Sequence, residues 1–244
     1  MLGLTCARFL SYLNTLNAKK GSTIEKSGNS YSIIGIGFCN QGTINVKEGQ
    51  LQAAINASCS DASASAAILS GAQLVLQSST VNFPITAHSG GQCGLTDCTF
   101  TTGGRLLGSG QIRLMGTNVL GNTVANTLEL TNFDTFGPAV TTLPDPFSLS
   151  STGKLNGKGT FISGSVIIVD GQVTPGASPG ILTINPSVSS TSAAIYDMEI
   201  IGGYGASGIA DDADQLASSG NIGLAGTLHI ILNNPDVGDR TSVV

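Results

Sequence analysis

The sequence contains no tryptophan, two histidines and only 10% charged residues. A soluble globular domain usually carries roughly 25%. Ten basic residues are scattered among fifteen acidic ones, for a net charge of -5. Nothing forms the basic stripe that binding a phosphate backbone requires, so nucleic acid is not an expected partner. The acidity is too mild for a dedicated cation-binding surface. No run of about 18 consecutive apolar residues occurs, so no integral helical membrane span is expected. The opening stretch MLGLTCARFLSYLNTLNAKKG lacks a basic segment ahead of its apolar residues, and Arg8 interrupts them. It makes a poor signal peptide.

What the chain does hold is punctuation. Its 244 residues include 33 glycines and 8 prolines, with many Ser, Thr and Asn. Mean hydropathy is positive, +0.25, which separates it from charge-rich disordered chains. The apolar residues come as short Ile, Val and Leu clusters cut by Gly, Asn, Asp and Ser, a composition of short strands and turns. From Tyr31 onward, strand candidates such as YSIIGIGF, GTINV, GAQLVLQ, GRLLGSGQIRLMG, GSVIIVDGQVTPG, GILTINP and GTLHIILNN follow one another.

Two architectures fit such a series, an antiparallel sandwich and a coil of short parallel strands. A β-helix coil uses about 20 residues, with small inward apolar side chains stacking on their equivalents in the next coil. The phrase GRLLGSGQIRL at 104–114 returns as GKLNGKGTFIS at 153–163, both Gly-basic-Leu-x-Gly-x-Gly, 49 residues apart. Alternation predicts Phe161, Val166, Ile168, Val173, Leu182, Ile184, Ile200, Leu228 and Ile230 in the core. Residues 5–18, with Phe9, Leu10, Leu13 and Leu16 at helical spacing, are read as a short capping helix or a frayed end. The Ala/Ser-rich run from Leu51 to Leu69 is read as a short projecting helix or a loop.

The stretch LNGKGTFISGSVIIVDGQVTPGASPGILTI at 155–184 resembles the C-terminal passenger repeat of autotransporter proteins and related bacterial surface β-helices. The likeness is densest in VTPGASPGILTI, 173–184. It continues through Asp214 and Leu216, an Asp-x-Leu phrase, to the strand LAGTLHI, and covers 154–232. The resemblance implies a right-handed parallel β-helix, a single-stranded solenoid, exported to the cell surface as a stalk or scaffold with function carried by loops. It departs from the autotransporter pattern in that no C-terminal membrane barrel follows within this sequence. The expected organisation is a cap or lead over 1–30, a β-helix stack over 31–232 and a tail over 233–244.

The Pro-Gly phrase has a structural explanation of its own. Pro175 fixes φ and Gly176 tolerates positive φ, and Pro179 and Gly180 repeat the device. Ser178 is placed to hydrogen-bond the local backbone. These five residues are the expected structural turns. A phosphate cradle would need a Gly-Lys-Ser/Thr ending before a helix, and none is present.

Candidate chemistry is sparse. Of Cys6, Cys39, Cys59, Cys93 and Cys98, the odd count leaves at least one thiol unpaired in a monomer. The spacing of Cys93 and Cys98 allows a small disulfide loop, the alternative being buried thiols. His88 lies too far before Cys93 for the usual zinc patterns, so no metal site is expected. Asp211, Asp212 and Asp214 form the densest acidic cluster, read as a solvated or capping turn, with a calcium site or a catalytic role as alternatives. Asp134 and Asp145 flank a loop in which Phe133, Phe136 and Phe147 either project or fold onto the core. No catalytic residue and no cofactor is indicated. The expectation is a non-catalytic, secreted or cell-surface scaffold of adhesive type, whose partners are host or environmental glycans or proteins. The alternatives are a polysaccharide-active or carbohydrate-binding β-helix and a phage or virus fibre segment.

Overall fold

Short apolar strands that end at glycine every few residues cannot bury a face alone, but they can stack on neighbours one coil away. The chain takes this solution. A computed structural model describes residues 2–3, 15–56, 58–61, 63–120, 127–130, 139–176, 180–200, 213–232 and 240–243. Among them there is no helix, and strand pairs are parallel apart from Thr227–Leu232 with Arg240–Val243. The fold is a parallel β-helix, as the strand pattern and the resemblance predict. The contacts divide it into two compact units, Met1–Thr127 with Thr141–Pro144, and Leu128–Val140 with Asp145–Val244.

In the first unit one sheet stacks Thr23–Lys26, Thr43–Val46, Ser65–Ile68, Pro84–Ala87 and Arg105–Leu107. A second stacks Tyr31–Asn40, Gly49–Ile55, Ala72–Gln77, Gln92–Thr96 and Gln111–Met115. A short third sheet runs through Thr80–Val81, Thr99–Phe100 and Thr117–Val119. Apart from a shift between Ile34 and Gly37 against Gly49–Ile55, pairing is in register, so inward residues form columns: Ile24, Ile44, Ala66, Ile85 and Leu106 in the first sheet, and Leu51, Leu74, Cys93 and Ile112 in the second. All are buried. Burying each such aliphatic side chain contributes roughly 1.5–3 kcal/mol before the entropy of ordering the strand is subtracted.

Lys26 occupies an inward position above Val46 and is fully buried. Its ammonium donates to the carbonyls of Ser27, Gly28 and Glu48, at 3.2 Å and 3.3 Å for the first and last. Backbone oxygens thus replace its water, which a buried charge requires.

The second unit repeats the plan with Lys154–Gly157, Gln172–Pro175, Ile195–Ile200 and Thr227–Leu232 in one sheet. Gly159–Ile162, Ile181–Asn185 and Gln215–Ala217 form another, and Ser148–Leu149, Ile167–Val169, Val188–Ser190 and Ile222–Gly223 a third. Leu155, Val173 and Tyr196 stack in one buried column, Phe161 and Ile184 in another.

Several expectations change. Thr15–Ala18 is a strand paired with Gly37–Asn40, not the end of a capping helix; residues 5–14 lie outside the described residues. The stack therefore takes in strands ahead of Tyr31, within the expected 1–30 lead. The run from Leu51 to Leu69 is neither helix nor plain loop: it supplies strands Gly49–Ile55 and Ser65–Ile68 around a turn. In the expected tail, Arg240–Val243 is a strand. The two Gly-basic-Leu phrases are not structural equivalents. Gly108–Gly110 forms a turn between Arg105–Leu107 and Gln111–Met115, whereas Lys154–Gly157 and Gly159–Ile162 are separated by Lys158 alone.

Phe161, Val173, Leu182 and Ile184 are buried as expected. Val166 and Ile168 face outward, and Ile167 and Val169 are buried in their place. Val166 to Val169 are all apolar, so the alternation carries no phase, and a one-residue shift exchanges the faces. Ile200 and Leu228 are partly exposed and Ile230 is intermediate, because they lie in the last parallel coils of this unit among the described residues. The phase can be read directly from unfolding. Ile167→Ala should lower stability by about 2–5 kcal/mol, and Ile168→Ala by about 1 kcal/mol or less, as measured by the denaturation midpoint in urea. Equal losses would contradict the register.

Candidate functional site

In-register parallel strands place like residues one above another at about 4.8 Å, so a polar residue recurring in each coil becomes a ladder. The outer face of the second sheet in the first unit carries such a ladder: Tyr31, Gln50, Gln73, Gln92 and Gln111 pair in succession. Gln92 donates from Nε2 to Oε1 of Gln111 at 3.0 Å. Beside it, Gln52 accepts from the Tyr31 hydroxyl and donates to Gln77 Oε1 at 3.2 Å. Glycines 49, 71 and 90 flank the ladder where each strand begins, and leave a trough of about 330 Å³ lined also by Asn29. Sequence reasoning missed these glutamines because it looked for carboxylates. The available signal was a glycine one or two positions before each of Gln50, Gln73, Gln92 and Gln111, at intervals of 23, 19 and 19 residues.

The second unit offers two other features. Asp197 and His229 are paired neighbours on adjacent strands, with Oδ1 and Nδ1 3.0 Å apart, and Gln172 donates to the same carboxylate. The two are 32 residues apart in sequence, so no short motif connects them. An apolar hollow of about 490 Å³ is bounded by Tyr196, Met198, Ile200, Leu216, Leu228 and Ile230.

The expected structural turns are partly placed. Pro175 closes a strand, and Gly176 follows with φ +105, its N–H donating to the Gly157 carbonyl at 2.9 Å. Ser178 and Pro179 lie outside the described residues. Gly180 donates to Asp214 Oδ1 at 3.0 Å, and Glu199 N–H donates to Oδ2 at 2.9 Å. A side chain at Gly176 would begin 2.1 Å from Asp214 Oδ1. The Asp-x-Leu aspartate therefore clamps the Pro-Gly turn, and the capping reading of the acidic cluster holds for Asp214. Asp211 and Asp212 are outside the described residues, as are Asp134, Phe133 and Phe136. Phe147 is buried, and Asp145 accepts from the Ser165 hydroxyl.

The cysteines require a correction. Cys39 and Cys59 form a disulfide, with Cα atoms 5.2 Å apart, and join consecutive coils. Cys93 and Cys98 are free and buried, not bridged. Cys93 belongs to the extended strand Gln92–Thr96, and three residues at about 3.3 Å each carry the chain beyond the roughly 5.5–6 Å that a disulfide spans. Burial pushes the Cys93 thiol up strongly and, despite hydrogen bonds involving Ser79 and Thr96, holds Cys98 at about 11. Burial and a low thiolate fraction both disfavour reaction at neutral pH, because the thiolate is the nucleophile. Cys6 lies outside the described residues.

Comparison of the chain with family profiles, with curated proteins and with solved structures gives no match in any of the three.

Three measurements follow from this chemistry. A maleimide should leave Cys93 and Cys98 unlabelled in the native protein and label both after denaturation. Replacing Cys39 and Cys59 by serine should cost roughly 3 kcal/mol for a loop of this length. Burial, opposed by the Glu199 and Gly180 N–H groups, raises the Asp214 carboxyl above its ordinary value. A raised folded pKa favours the native state most below the unfolded value, and that advantage is lost as pH rises through the folded value. The stability of the wild type relative to Asp214→Asn should therefore fall over a window that opens near the ordinary Asp value of about 3.9 and extends above it. A rise over that window would refute the assignment.

Proposed function

We propose that this chain is a non-catalytic scaffold of an exported protein, secreted or at the cell surface, whose coils present a neutral polar face for adhesion. The Cys39–Cys59 disulfide carries the exported part of this reading. Disulfides persist in oxidising compartments and are rare in reducing ones. The bridge spans one coil and ties the loop after Ile55 to the strand Tyr31–Asn40 of the preceding coil, which suits a structure exposed to proteases and mechanical load. The likeness of 154–232 to passenger repeats of bacterial surface β-helices agrees with this reading. The glutamine face supports the adhesive part, since surface loops and faces held by a rigid scaffold are where binding resides.

A polysaccharide-active β-helix is the second reading, and the Asp197–His229 pair is the observation in its favour. The partner groups beside that carboxylate are an amide and an imidazole, and a glycosidase uses two carboxyl groups across the scissile bond.

Trapping thiols in intact cells with a membrane-permeable alkylating agent tests export. Cys39 and Cys59 should be recovered as one linked peptide pair, and surface-added protease should reach the protein. Recovery of both as alkylated thiols would reject the exported reading. Incubation with a panel of polysaccharides should release no new reducing ends or unsaturated uronates. Release that Asp197→Ala abolishes would replace the scaffold by the enzyme.

A further inference from the structure

We propose that the glutamine trough of the first unit binds a neutral polysaccharide, laid across the coils so that successive sugars meet successive rungs. The inference deepens the scaffold reading and rests on it for the adhesive role.

Four observations converge. First, every residue lining the trough is uncharged. A charged polymer would find no counter-charge there, whereas a neutral polyhydroxyl chain would lose none of its own solvation to unpaired ions. Second, each glutamine amide carries both donors and an acceptor, and each sugar hydroxyl is likewise both. Among the described residues the side-chain amides of Gln50 and Gln73 make no hydrogen bond to the protein, while Gln92 and Gln111 hold each other. The ladder therefore offers free amides in mid-trough with a braced pair beyond. Third, the rungs repeat at about 4.8 Å, comparable to the advance per pyranose in an extended chain. Fourth, Tyr31 closes one end, 48% exposed, with its hydroxyl held by Gln52. A ring fixed by its polar tip presents an apolar face to the C–H side of a sugar.

The floor is open at Gly71. Its φ is +78, and nothing lies within 4 Å of where a side chain would begin. Asparagine is the residue that best tolerates this conformation after glycine, so Gly71→Asn fills the floor while keeping the turn. A second copy of the chain is a poorer occupant. A zipper of amide ladders needs tightly interdigitated faces, and the glycines make this one concave.

Native electrophoresis in gels cast with hydroxyethyl cellulose, barley mixed-linkage β-glucan or galactomannan tests the proposal, with polygalacturonate as the charged control. The wild type should be retarded in at least one neutral gel and not by polygalacturonate. Gln50→Ala with Gln73→Ala should weaken retardation by roughly fivefold per amide lost. Gly71→Asn should abolish it, and Ser189→Ala, at an exposed strand position of the second unit, should leave it unchanged. Circular dichroism and the denaturation midpoint confirm that each variant is folded. Absence of retardation in all neutral gels, retardation by polygalacturonate alone, or retardation that survives both trough variants overturns the proposal. None of these outcomes touches the trapped disulfide or surface exposure on which the scaffold reading is judged. Release of reducing ends would sink the scaffold reading while leaving the occupied trough in place.

Discussion

Everything in this structure depends on parallel strands pairing in register from one coil to the next. A coil has too little apolar surface to fold alone, and its inward residues gain burial only when the next coil covers them. The same register that aligns Leu51, Leu74, Cys93 and Ile112 inside aligns Gln50, Gln73, Gln92 and Gln111 outside. Core and surface pattern are two readings of one constraint. Its cost falls at the corners, where backbone groups leave the ladders and need other partners. Side chains supply them: Ser79 Oγ accepts from Ile55 N–H, Asn118 Oδ1 from Cys98 N–H, and Asp214 from Gly180 N–H at the end of the Pro-Gly turn.

The fold class was legible because turn chemistry is local. Glycine before a short apolar run predicts a bend and a strand whatever the rest of the chain does, and a long series of such units fits a coil. Phase was legible only where polar and apolar residues alternate. Phe161, Val173, Leu182 and Ile184 sit in mixed runs and were placed correctly, whereas Val166 to Val169 offer four apolar residues in a row. The Ala/Ser-rich run after Leu51 misled for a related reason. Alanine has high helix propensity, but in Gly49–Ile55 the ladder to Tyr31–Asn40 overrides it.

The candidate site was less legible, because it is made of residues distant in sequence and unremarkable singly. A glutamine carries no catalytic signature, and only register turns four of them into a surface. Cysteine pairing failed in the same way. Nearness in sequence allowed a Cys93–Cys98 bridge beside the buried-thiol reading that the structure bears out, but an extended strand separates sequence neighbours and brings together residues one coil apart, as with Cys39 and Cys59. The Asp197–His229 pair follows that rule too. In a coiled chain the useful distance is counted in coils.

The in-register stack also fixes the step in which the protein can change length. Adding or removing one residue within a strand exchanges the inner and outer faces of that strand. Adding or removing a whole coil keeps every column and lengthens or shortens the glutamine face by one rung. Tandem duplication of some twenty codons would therefore lengthen such a face by one rung while leaving every column intact.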